Sequence, residues 1–248
     1  ISDCLVGSEM CIRDRYPSGN SSAHIYKICP IRKSKKTWTI SWQDVIRIGK
    51  YISTESYCFE KYVSVTGSAC IEPKLLKTVS GASLTELTAG NTNKESRLIS
   101  GSALYGTSGE SYTSYITRYS DQVTIISDER KANLFNWLKL GEKDHSATNV
   151  FLSSITKPEK FDFDTNVNGG YRAIVPIGVF DEVNVFDIDP TLFLKSLAIG
   201  DLVALRELGI FDLIPEDMSV FSYVCPSKYD YVALFKDCID DIWKEENS

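Results

Sequence analysis

Few of the 248 residues fall into patterns that do chemistry. The chain has no His-Glu-x-x-His zinc motif, no Gly-Lys-Ser/Thr phosphate loop, no glycine-flanked serine elbow and no Gly-x-Gly-x-x-Gly dinucleotide turn. Seven cysteines invite a metal or disulfide reading, but Cys4 and Cys11 lie in the first fifteen residues. The other five, Cys29, Cys58, Cys70, Cys225 and Cys238, contain no Cys-x-x-Cys pair, and their odd number and wide spacing argue against disulfides, zinc and iron-sulfur clusters. His24 and His145 stand apart from any cysteine or carboxylate cluster, and a lone imidazole is more often structural than a ligand. The acid pairs Asp187/Asp189, Glu216/Asp217 and Asp240/Asp241 are better explained as helix caps or solvated faces. The glycine-rich run Gly101 to Gly109 leads toward a strand and reads as a turn. No catalytic, cofactor-binding or metal-binding residue is therefore nominated. What remains is a contact surface in Cys225, Pro226, Lys228, Tyr229 and Tyr231, where Pro226 keeps the chain out of a helix interior and aromatic groups stand beside a cation. The competing reading is that both tyrosines simply pack the terminal helix onto its domain.

Helices must position that segment. Asp189 and Pro190 make an N-cap and first turn, Leu192, Phe193, Leu197 and Ala198 share a face, and Gly200 ends the helix. Leu194 and Leu197 are expected to be buried. A second helix is expected from Asp201 to Leu208 with Val203, Ala204 and Leu208 inward, and Pro215 opens a third. Val232, Leu234, Phe235, Cys238, Ile239 and Ile242 mark an amphipathic terminal helix. Residues 129–248 thus read as a connector and a helical C-terminal domain.

Composition is that of an ordinary globular chain, 43% hydrophobic and 24% charged, with no run near the roughly 18 apolar residues of a membrane span. The net charge of −6 is unevenly spread, about +5 over residues 1–160 and −11 over 161–248. Nucleic acid is not expected as a partner of so acidic a half.

Leu5 to Arg15 looks like a translated frame of a transposase sequencing adapter, so residues 1–15 are expected to be an artefact preceding a truncated natural chain. Residues 16–72 read as the C-terminal part of a Rossmann-like domain. Ala23–Ile28 and Thr37–Ile40 are strand-like around the basic loop Arg32–Lys36, and Ser41 with Asp44 caps a helix burying Val45, Ile46, Ile48 and Ile52. Lys61–Thr66 follows as an alternating strand. Residues 73–128 read as a β-grasp domain, one helix laid on a small mixed sheet. Its parts are the strand Leu75–Val79, a Ser83–Glu86 capping box, and strands at Arg97–Ser100, Tyr115–Arg118 and Gln122–Ile126. Leu134, Phe135, Trp137 and Leu138 form a short apolar helix face in the connector. The fold class is α/β and α+β, multi-domain.

Several blocks together carry a resemblance to a known family: Trp42 to Lys50, Glu86 to Gly90, Ile99 to Leu104, Asn168 to Gly178, Asp187 to Asp201 and Cys225 to Tyr231. From about Pro17 onward the chain resembles the C-terminal portion of the A subunit of the sodium-translocating NADH:quinone reductase. The resemblance implies a Rossmann-like, a β-grasp and a helical domain, similar to the NADH-binding subunit of respiratory complex I, with the N-terminal region of the family absent. It implies an accessory, peripheral subunit on the cytoplasmic side of the bacterial inner membrane, in a complex coupling NADH oxidation and ubiquinone reduction to sodium export. The resemblance further implies no cofactor on this chain, with NADH, flavins, iron-sulfur and ubiquinone served by other subunits. Those subunits, especially a membrane subunit, are the expected partners, and quinone contact stays open. The alternatives are a free-standing β-grasp module for a small ligand and a degenerate flavoprotein dehydrogenase subunit.

Overall fold

The computed structural model describes residues 16–31, 36–92, 95–109, 114–128, 140–142, 144–145, 150–159, 161, 163–167 and 169–247. Their elements are α1 (Ser21–Ile28), α2 (Trp42–Thr54), β1 (Glu60–Thr66), β2 (Lys74–Val79), α3 (Leu84–Thr88), β3 (Ser96–Ser100), β4 (Thr107–Ser108), β5 (Gln122–Ser127), α4 (Ser153–Thr156), α5 (Val179–Val183), α6 (Pro190–Ile199), α7 (Leu202–Glu207), a 3-10 turn (Ile210–Asp212), α8 (Pro215–Val224) and α9 (Tyr231–Asn247). Two compact units are formed, one from Ile40–Val167 and one from Ile1–Thr39 with Asn168–Ser248. Residues 1–15, most of the basic loop and the Leu134–Leu138 helix face lie outside the described residues.

The first unit is built on a mixed five-stranded sheet in the order β2-β1-β5-β3-β4. β1 runs parallel to β5 and antiparallel to β2, and β3 is antiparallel to both β5 and β4. The alternation expected in β1 holds, with Val63 and Val65 turned into a core shared with Leu84, Ile116, Val123 and Ile125. Lys61 lies on the same inward row and is 1% exposed. Its Nζ donates to the carbonyls of Thr117 and Arg118 at 3.1 and 2.7 Å and pairs with Asp121 at 3.5 Å. Burial pushes its pKa down, while the Asp121 carboxylate partly offsets that. Gly67, at φ 135°, lets β1 end against β5, because a side chain there would run into the backbone of Ile125.

Three local expectations fail in this unit. The Ser83 side chain makes no cap bond, and the Leu84 N–H at the start of α3 donates instead to Ser114 O at 2.7 Å. Tyr115–Arg118 forms a single bridge, from Tyr115 to Ser83, rather than a strand. The third concerns α2: Ser41 Oγ caps it by accepting from Asp44 N–H at 3.1 Å, yet the face expected to be buried points outward. Val45, Ile46, Ile48 and Ile52 are between 50% and 75% exposed, while Gln43 and Arg47 are buried.

The reason lies in the sheet. β5 pairs with β1 only from Ser64 to Thr66, which leaves backbone groups of Glu60 and Tyr62 without a strand partner. Gln43 Oε1 accepts from Tyr62 N–H at 2.9 Å, and its Nε2 donates to Tyr62 O at 2.9 Å. Arg47 donates from Nε and Nη2 to Glu60 O at 3.2 and 3.0 Å and pairs with Asp44 at 2.9 Å. The helix's polar side chains stand in for the missing strand, so its apolar arc turns away.

The second unit is helical. Asp189 accepts from Leu192 N–H at 2.9 Å, Pro190 fills the first turn of α6, and Gly200 closes it at φ 71°. Phe193, Leu194 and Leu197 are buried as expected, whereas Leu192 is half exposed. Asp201 caps α7 through Ala204 N–H at 3.0 Å, but Leu205 enters the core and Val203 faces outward. In a helix of six residues one inward position decides the face.

The segment Ala23–Ile28 is a helix, not a strand, and Thr37–Ile40 has no regular structure. Tertiary contact overrides the β-branched pattern here. Asn20 Nδ2 and Ser22 Oγ donate to Oδ1 of the buried Asp217 at 2.7 and 2.8 Å, and Asp217 Oδ2 accepts from Ile214 N–H at 2.9 Å. Burial pushes the Asp217 carboxyl above the usual aspartate value despite these donors. The expected strand-helix-strand order before residue 72 is therefore not formed. Among the described residues of 16–59 there are two helices and no strand, and β1 belongs to the sheet that follows.

Candidate functional site

The segment nominated from sequence folds as one bend between α8 and α9. Lys228 N–H donates to Cys225 O at 3.3 Å, and Lys228 itself takes a left-handed conformation at φ 57°. Asp230 Oδ1 then accepts from Val232 and Ala233 N–H at 3.1 Å each, starting α9. Tyr231 N–H donates to Ser222 Oγ at 3.0 Å, tying the bend back to α8.

A strap from the glycine-rich block lies along this bend. Ser227 Oγ donates to Ala173 O at 2.8 Å, and the Lys228 stem passes so close over Gly169 that a side chain there would meet it. Tyr171, Tyr229 and Tyr231 form an aromatic ladder, with Tyr171 edge-on to Tyr229 at 5.9 Å and Tyr229 stacked on Tyr231 at 5.8 Å. The ladder runs from solvent to core. Tyr171 is exposed, Tyr229 is half-buried, and Tyr231 is fully buried, edge-on to Phe180 at 6.3 Å.

Two of the five nominated residues cannot meet a partner directly. Cys225 and Tyr231 are both fully buried, their Sγ and hydroxyl 3.5 Å apart, because the bend folds them beneath the strap. Burial raises the Tyr231 pKa strongly, with the Cys225 contact adding to it. Pro226, Lys228 and Tyr229 remain accessible, and Tyr171 joins them. Tyr171 lies outside the nominated set, although its place after Gly169-Gly170 in an irregular block is a signal visible in the sequence. The surface offers the Lys228 cation and the edge-on rings of Tyr171 and Tyr229, which suits recognition rather than bond-making.

The sheet unit carries other features. Trp42, Gln43, Tyr62, Ser64, Leu75 and Asp121 line an apolar hollow of about 340 Å³ beside α2. A second hollow of about 350 Å³ is lined by residues that include His145, Phe151, Lys157 and Phe161, with His145 edge-on to Phe161 at 5.1 Å. The Gly101–Gly109 turn contains β4, which pairs back on β3. Among the described residues no group of three or more His, Cys, Asp or Glu could hold a metal ion, and no helix is long and apolar enough to cross a membrane.

Comparison with known proteins agrees with the blocks quoted above. A family model described as the NqrA second alpha/beta domain matches residues 8–57, and one described as the NQRA C-terminal domain matches residues 62–110. The A subunit of the Na(+)-translocating NADH-quinone reductase of Neisseria meningitidis serogroup B (strain MC58) is 39% identical over 231 residues. Its namesakes from Hahella chejuensis and Vibrio campbellii are 37% and 38% identical over 231 residues. Each alignment covers 93% of this chain and 52% of the relative, so the chain spans about half the length of the curated relatives it matches. Across nearly all of its own length, the chain is similar to the A subunit of the Na(+)-translocating NADH-quinone reductase, and models of two domains of that subunit match parts of it.

Proposed function

We propose that the chain is part of an accessory subunit of a sodium-translocating NADH:quinone reductase, contributing surfaces for assembly rather than a catalytic centre. The observation that carries this reading is the 39% identity over 93% of the chain to a relative of that name. In this reading the chain is peripheral on the cytoplasmic side of the bacterial inner membrane, and a membrane subunit of the complex is its partner. NADH, flavin, iron-sulfur and ubiquinone chemistry belongs to the other subunits. The sheet order β2-β1-β5-β3-β4, with β1 and β5 parallel at its centre and α3 after the first hairpin, supports a β-grasp reading of the strand-rich part. The Rossmann-like reading of residues 16–72 draws its support from the alpha/beta description of the matching family model.

The docking surface proposed is Pro226, Lys228 and Tyr229, with Tyr171 extending the ring surface and buried Cys225 and Tyr231 holding it from beneath. Tyrosine gives a large contact area at low entropic cost, and Lys228 adds a charge to steer an acidic partner surface. The test is the double substitution Lys228→Ala/Tyr229→Ala in the full-length subunit within the complete complex. The expected result is a loss of co-purification with the membrane subunits and of sodium-dependent quinone reduction, with the melting temperature of the isolated subunit unchanged. Normal assembly and activity overturn the docking assignment.

A further inference from the structure

We infer that Lys61 is the built-in counter-cation of the turn at residues 117–121: its ammonium fills an oxygen-lined site that, without this lysine, takes a free monovalent cation of ammonium or potassium size, and the turn keeps its shape only while a cation is there. The inference rests on neither the docking assignment nor the likeness to known proteins.

A lysine is almost never fully buried unless its charge is met. On the inward row of β1, positions 63 and 65 carry valine, and an apolar residue at 61 would continue the pattern at no electrostatic cost. The turn explains the exception. Arg118 and Tyr119 lie outside the described ladders, so the carbonyls there need donors from elsewhere. The ammonium brings three N–H groups, and three oxygens receive it: Thr117 O at 3.1 Å, Arg118 O at 2.7 Å and Asp121 Oδ1 at 3.5 Å. Two carbonyl dipoles and a carboxylate aimed at one point make a site for positive charge, as rings of carbonyls do for potassium elsewhere.

The ends of the turn are fastened by neutral bonds. Thr117 N–H donates to Ser100 Oγ at 2.9 Å, the Thr117 and Ser120 hydroxyls are 2.6 Å apart, and Ser64 N–H donates to Asp121 O at 3.0 Å. Between those ends the cation draws the backbone inward. The same residue whose carbonyl it holds sends its side chain outward, where Arg118 Nη2 pairs with Asp44 of α2 at 3.1 Å. The cation thus sets where Arg118 leaves the turn, and Arg118 ties the turn to α2. Size selects the ion. The oxygens stand 2.7 to 3.5 Å from Nζ, farther than the roughly 2.3–2.6 Å at which calcium is held. Ammonium and potassium suit that spacing, and lithium is too small to touch all three oxygens.

Ion-selective rescue tests this. Lys61→Ala is made in this chain, and its thermal midpoint is read relative to the wild type in the chlorides of tetramethylammonium, lithium, sodium, potassium and ammonium at one ionic strength. Comparison within each salt removes general salt effects. The variant is expected to melt several degrees below the wild type in tetramethylammonium and lithium, with ammonium and potassium restoring at least half of the difference and sodium less. Amide exchange read by mass spectrometry gives a second measure: in the variant, exchange across residues 117–121 rises at least tenfold in lithium and slows again in potassium, while exchange in β3 does not follow the ion. A deficit equal in every salt, or exchange that rises alike in all of them, overturns the inference and leaves Lys61 a packing residue. So does a variant as stable as the wild type. Should Lys61→Ala fold in none of the salts, Lys61→Met keeps the apolar stem, vacates the Nζ position and is carried through the same series with the same deciding outcomes.

Discussion

Asp217 is a carboxylate taken out of water and given three donors, and the balance still favours its proton. Because burial lifts the folded-state pKa above the ordinary aspartate value kept by the unfolded chain, the folded state holds the proton more tightly. Its favourable contribution is therefore fullest below the ordinary value of 3.8 and is lost as pH rises through the raised one. The stability of the wild type relative to Asp217→Asn is expected to fall across that interval, read from denaturation midpoints at a series of pH values. A difference that stays flat with pH contradicts it. Reading Glu216/Asp217 as helix-capping acids anticipates the Ile214 bond. The donors Asn20 and Ser22 lie nearly 200 residues away, and no local rule reaches that far. The same limit applies to Tyr231, whose burial beneath the strap depends on Phe180 and Cys225 arriving around it.

Among the elements, α6 shows what local chemistry settles. Asp189, Pro190 and Gly200 act within their own turns, so both ends are legible in sequence. The face is legible only in part, since Leu197 is 1% exposed and Leu192 50%. Leu197→Ala is expected to cost about 2–5 kcal/mol as a core truncation, whereas Leu192→Ala should stay within about 0.5 kcal/mol. Urea unfolding of the two variants side by side checks this, and equal losses would mean that the helix sits differently. α2 is the sharper lesson. Its apolar period is plain in the sequence and its orientation is not, because which face is buried depends on what a neighbouring element lacks. β1 lacks partners for Tyr62 and Glu60, and the side chains able to supply them are Gln43 and Arg47. The strand expected at Ala23–Ile28 fails in the same way, displaced by the contacts of Ser22 and Tyr26 with Asp217 and Phe186.

At the scale of the whole molecule, the two units differ in kind, one a mixed sheet and the other a helical cluster. The helical part is legible where a helix carries its own start signal, as α6 and α7 do with Asp189 and Asp201, and is not where it carries none, as in α1. The sheet order is not, since β1 and β5 pair across more than fifty residues and leave no mark on either strand alone. Cys29, Cys58, Cys70, Cys225 and Cys238 are all thiols in this arrangement. Titration under denaturing, non-reducing conditions should therefore count Cys58, Cys70, Cys225 and Cys238 as thiols, and elemental analysis should find no stoichiometric iron or zinc; finding either metal would contradict it. The way α2 closes β1 bears on the protein's behaviour in a crowded solution. The peptide groups of Glu60 and Tyr62 form a short open strand edge, the kind of surface that recruits strands from other molecules. With α2 in place that edge is plugged by an amide and a guanidinium, which cannot propagate a ladder. Were α2 to detach, the bare edge would appear beside an apolar arc that is already exposed, and the chain would present a template next to an adhesive. The helix is thus a guard against self-association as much as a piece of architecture.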